Sequence, residues 1–87
     1  MSNQVSDLDK KAFRMAFEFY AAHNDPPDNT DQDAVKWWQA AGRDISPLYD
    51  QWKEHTLGSR LLMAVFEAIE EMSREKMKEV NDFVQEQ

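Results

Sequence analysis

Apolar residues recur at three- and four-residue intervals along almost the whole chain, from Leu8 to Val84, and no stretch alternates with a period of two between hairpin turns. That spacing places the apolar side chains on one side of a helix, so the chain is expected to be all-α. With 87 residues there is room for one domain, spanning residues 1–87, and 41% hydrophobic content with 11% aromatics supplies a core for it.

The punctuation divides the pattern. Ser6 with Asp9 three residues later reads as a capping box, and Leu8, Ala12, Met15 and Phe19 then fall in line. Phe13, Ala16, Phe17 and Tyr20 widen this apolar arc to about 220°, more than a single neighbour can cover. The segment 23–29, His-Asn-Asp-Pro-Pro-Asp-Asn, ends the helix, because proline lacks an N–H and disfavours helix in the residue before it.

Thr30 and Asp33 repeat the cap pattern ahead of a second helix, in which Ala34, Trp38, Ala41 and Ile45 share a face. Trp38 is therefore expected in the core, and Trp37, about 80° away, at a partly exposed position. Ser46-Pro47 reads as a fresh N-cap with proline at the first helical position, predicting a separate short helix carrying Leu48, Tyr49 and Trp52 and ending near His55 to Gly58. A long C-terminal helix follows, with Leu62, Val65, Ile69, Met72, Val80 and Phe83 on one face and glutamates on the other, where Arg74 pairs with Glu70 and Glu71. The expected architecture is a small bundle of three principal helices plus one short helix.

Chemistry is sparse. The chain has no cysteine, which excludes disulfides, thiolate metal sites and a cysteine nucleophile, and favours the cytoplasm. Neither a signal-peptide run nor an apolar stretch of membrane-spanning length is readable. His23 and His55 stand in different segments, each without a second histidine one turn away, so they are expected to pack or cap. The acids Asp25, Asp28, Asp31 and Asp33 lack EF-hand spacing, and no serine lies in a nucleophile-elbow context. No catalytic residue, metal or cofactor is expected, and the chain is read as not an enzyme. Seventeen acids against 10 bases give a net charge of −7, and Asp50 and Glu54 outnumber Lys53 on the segment that would enter a major groove; direct nucleic-acid binding is not expected.

What remains is excess apolar surface, the mark of an interface. Phe13, Phe17, Trp37, Met77, Val80, Phe83 and Val84 are the candidate interface residues. The final helix should outrun the first by about ten residues while keeping its apolar stripe, which a homodimer through the C-terminal helix would cover.

The order Phe19-Tyr20, His23-Asn24, Pro26-Pro27, Trp37-Trp38, Asp44-Ile45 and Leu61-Leu62-Met63-Ala64-Val65 resembles small helical proteins of bacterial prophages and other mobile elements, over about residues 13–72. The resemblance implies a bacterial cytosolic accessory protein and assigns no site residue. It also admits an alternative function, a small acidic inhibitor that occupies the basic surface of a nucleic-acid-handling host defence protein.

Overall fold

The computed structural model describes residues 4–28 and 32–85, with side chains described as far as Lys76. Three helices follow one another: α1 (Asp7–His23), α2 (Ala34–Trp52) and α3 (Thr56–Gln85). No strand occurs among the described residues.

Helix α1 starts as its sequence dictates. The Ser6 hydroxyl accepts from the Asp9 amide at 3.0 Å, and the Asp9 carboxylate accepts from the Ser6 amide at 3.4 Å, which closes the capping box. Its buried residues are Ala12, Met15, Ala16 and Phe19, whereas Leu8, at the edge of that line, is half exposed. Helix α3 is capped by His55: Nδ1 accepts from the Gly58 amide at 2.9 Å, satisfying one of the four donors that a helix start leaves open. The Nε2 atom of the same ring lies 3.2 Å from Asp9 Oδ1, which ties the start of α3 to the start of α1.

The far ends of α1 and α3 are tied as well. Pro26 is fully buried, the buried Ser73 hydroxyl of α3 donates to the Pro27 carbonyl at 2.8 Å, and Lys76 Nζ bonds both Asp25 Oδ1, at 2.7 Å, and the Pro26 carbonyl. Helices α1 and α3 therefore run side by side in the same direction, and α2 returns between their ends. The core lies chiefly where α1 meets α3, built on Ala12, Met15 and Phe19 against Leu62 and Ile69, with Trp52 of α2 joining it.

The expected short helix is not a separate element. Residues 47–52 continue α2, and Pro47 lies inside it. Ser46, read from the sequence as an N-cap, instead donates its hydroxyl to the Gly42 carbonyl one turn back, at 2.8 Å. Serine before proline carries the same chemistry in both settings, and the continuous apolar face of Ala41, Ile45, Leu48 and Trp52 favours an unbroken helix. Pro47 and Arg43 are both exposed, so the carbonyl deprived of its amide partner lies on the solvent side. Pro47→Ala restores that bond and should raise the folding free energy by about 1–2 kcal/mol, after allowance for the looser unfolded chain. Urea unfolding measures this; a neutral or destabilising result would mean that a helix begins at Pro47.

Two further expectations change. Trp38 is half-buried, as is Trp37, and the buried tryptophan is Trp52. At the start of α2 the N-cap residue is Asp33, whose carbonyl accepts from the Trp37 amide at 3.0 Å; Thr30 lies outside the described residues.

Candidate functional site

Helix α1 has more apolar surface than its neighbours cover. Its core side meets α3, and on the opposite side Phe13 and Phe17, one turn apart, are 54% and 69% exposed. The exposed Lys10 and Arg14 flank them on the same side of the helix. The result is a ridge of two aromatic rings bordered by two cations, on a chain whose net charge is −7.

A groove opens between the other two helices. Ile45, Ser46, Tyr49 and Asp50 of α2 and Met63 and Phe66 of α3 surround an open hollow of about 550 Å³. Tyr49 and Met63 are each 45% exposed, and Ile45 and Phe66 form the half-buried floor. A smaller hollow of about 250 Å³ adjoins it, sharing Tyr49 and Met63 and adding Arg60 and Glu67 at the rim. The sequence contains these residues on correct helical faces, but the groove joins two helices and has no local pattern that announces it.

The other expected interface residues are placed differently. Trp37 sits edge-on to the His23 ring at 6.0 Å and to Trp38 at 4.8 Å, and Trp38 in turn meets Phe66 at 6.0 Å. Trp37 thus belongs to a half-buried aromatic chain. Met77, Val80, Phe83 and Val84 fall on the last turns of α3, where the side chains lie outside the described residues. The helix itself continues to Gln85, about 13 Å beyond Lys76.

Both histidines are engaged structurally. His23 stacks on Phe19, with its Nδ1 2.8 Å from the Phe19 carbonyl and its Nε2 3.0 Å from Asp44 Oδ2, so it joins α1 to α2. His55 caps α3 and rests edge-on against Trp52. With both ring nitrogens committed in each case, neither is set up as a general base beside a nucleophile. No group of three metal-ligating side chains converges among the described residues, and no helix there is long and apolar enough to cross a membrane.

Two ion pairs perturb their members. Arg74 donates twice to Glu71 Oε2, at 2.9 and 2.6 Å, the i,i+3 pairing expected from the sequence, and the neighbouring carboxylate raises the guanidinium further above its ordinary value. Lys76, by its hydrogen bond and charge, holds the Asp25 carboxyl below its ordinary value of 3.8. A depressed folded value means that this pair stabilises the fold above the unfolded value and that its contribution is lost as pH falls through the lower folded one. Asp25→Asn should therefore flatten the acid side of the melting-temperature profile between about pH 2 and 5. The effect should be small and salt-sensitive, because Asp25 is exposed. An acid limb identical to that of the parent protein would show that the pair does not hold the loop in solution.

Comparison with known proteins returns no matching family model, no matching characterised protein and no matching solved structure.

Proposed function

We propose that the chain is a non-enzymatic protein-interaction module that self-associates as a homodimer. The observation that carries this reading is the exposed pair Phe13 and Phe17: two large aromatic side chains one turn apart, more than half open to water, on a helix whose opposite side already serves the core. Aromatic side chains flanked by arginine are enriched at interfaces and dominate their energetics. The length of α3 adds to it, since 30 residues make about 45 Å against about 26 Å for the 17 residues of α1, and Met77, Val80, Phe83 and Val84 keep the sequence apolar along the excess.

Light scattering at micromolar concentration tests the reading, with twice the chain mass expected. Replacing Val80 and Phe83 with glutamate should halve that mass while most of the helical circular dichroism persists. A parent protein that is monomeric throughout would refute self-association.

A second reading, the acidic inhibitor of a nucleic-acid-handling protein, draws on the exposed Glu67, Glu71 and Glu75, which follow one another at single turns along α3. Recovery of a basic nuclease or DNA-binding protein from host lysate, in a complex that dissociates in high salt, would favour it.

A further inference from the structure

We infer that the surface joining two copies of this chain includes, beside the C-terminal overhang of α3, a ridge-into-groove contact: Phe13 and Phe17 of α1 in one copy seat in the groove between α2 and α3 of the other. This rests on the self-association proposed above and specifies one part of its surface.

Complementary spacing is the first argument. The ridge presents two rings separated by one helical turn, about 6 Å. The groove is lined by Ile45 and Tyr49, also one turn apart on α2, and by Met63 and Phe66 on α3. Its open volume of about 550 Å³ is bounded by the partners that phenyl rings favour, namely aromatic edges and a methionine thioether.

Charge is the second. Two copies that each carry −7 repel one another over most of their surfaces. On one edge the ridge carries Lys10 and Arg14, with the exposed Glu18 one turn beyond Arg14 and Asp9, one turn before Phe13, engaged by His55; the groove is edged by Asp50, Glu67 and Arg60. Seating the Lys10 and Arg14 edge beside Asp50 and Glu67 brings opposite charges together at this position, which ridge-to-ridge pairing does not.

Availability is the third. No α1 residue lines the groove, so one copy offers its ridge and receives its partner's at the same time. Two such contacts related by a twofold axis close into a dimer, each copy contributing both halves of the surface.

Two variants and their mixture test the assignment. In the first, Phe13→Ser and Phe17→Ser remove the ridge and keep the groove; in the second, Met63→Glu spoils the groove and keeps the ridge. All three positions are about half exposed or more, so helix content and cooperative melting should persist in both. Sedimentation equilibrium should show each variant alone associating at least about thirtyfold more weakly than the parent protein. Mixed in equal amounts, the two should form a heterodimer through the one intact ridge and the one intact groove, tighter by tenfold or more than either variant with itself. Monomeric variants whose mixture stays monomeric would overturn the inference, and a Met63→Glu variant that dimerises like the parent protein beside a monomeric Phe13→Ser, Phe17→Ser variant would overturn it in favour of ridge meeting ridge. Variants that still dimerise like the parent protein would overturn it while leaving self-association through another surface, and a monomeric parent protein would remove both.

Discussion

Replacing Trp52 with alanine is expected to lower the folding free energy by about 3–5 kcal/mol, the range for removing a large aromatic side chain from a core. Trp52 is 6% exposed, sits among Ala12, Met15, Phe19, Leu62 and Ile69, and is the side chain through which α2 enters the core between α1 and α3. A domain of this length has roughly 4–13 kcal/mol in total, so the substitution consumes a large part of it and should lower the melting temperature by more than about 12 °C. Trp37→Ala and Trp38→Ala remove half-buried rings and should each cost less, about 2 kcal/mol. Urea unfolding followed by circular dichroism ranks the three; a Trp52 cost no greater than that of Trp38 would contradict this core.

Gly58→Ala should be the next most damaging single change, and its damage should depend on Trp52. A Cβ at position 58 would lie 2.4 Å from Trp52 Cε3 and 3.1 Å from His55 Nδ1. Both neighbours would have to move, displacing the ring from the core and straining the bond that caps α3. Overpacking of this kind costs about 1–3 kcal/mol or more, against a gain of up to about 1 kcal/mol from the better helix propensity of alanine. A net loss near 2 kcal/mol is expected in the parent protein. In the Trp52→Ala background the main obstruction is gone and only His55 has to give by a few tenths of an ångström, so the same substitution should be close to neutral. A double-mutant cycle should therefore return a coupling of about 2 kcal/mol, and simple additivity would show that the ring does not rest on this glycine.

Local signals announced most of the helices and few of the contacts between them. The capping box at Ser6 and Asp9, the line of Ala12, Met15 and Phe19, and the line of Leu62 and Ile69 are periodic features that need no knowledge of the rest of the chain, and each lies where the sequence placed it. The Ser46-Pro47 pair misled because an N-cap followed by proline looks the same at the start of a helix as inside one; the apolar face running through it decided the outcome. Choosing among three tryptophans depended on a glycine in the next helix, since Trp52 is buried where Gly58 leaves room for its ring. The Asp25-Pro26-Pro27 loop was legible as a helix stop, but its fastening to Ser73 and Lys76, about fifty positions away, was not. On the candidate site, Phe13 and Phe17 follow from an apolar arc too wide for one neighbour, whereas Tyr49 and Met63 acquire meaning only when α2 and α3 lie together.

The same-direction pairing of α1 with α3 also has a bearing on synthesis. Helix α1 finds its main partner in α3, which is made after it and after α2, and α2 offers α1 much less to pack against. A nascent chain ending near residue 55 holds two amphipathic helices but lacks Leu62 and Ile69, without which Met15 and Phe19 have little to bury against. Folding is therefore deferred until much of α3 has left the ribosome, and it then begins by closing a loop that spans more than half the sequence, a slow kind of step for so small a helical protein.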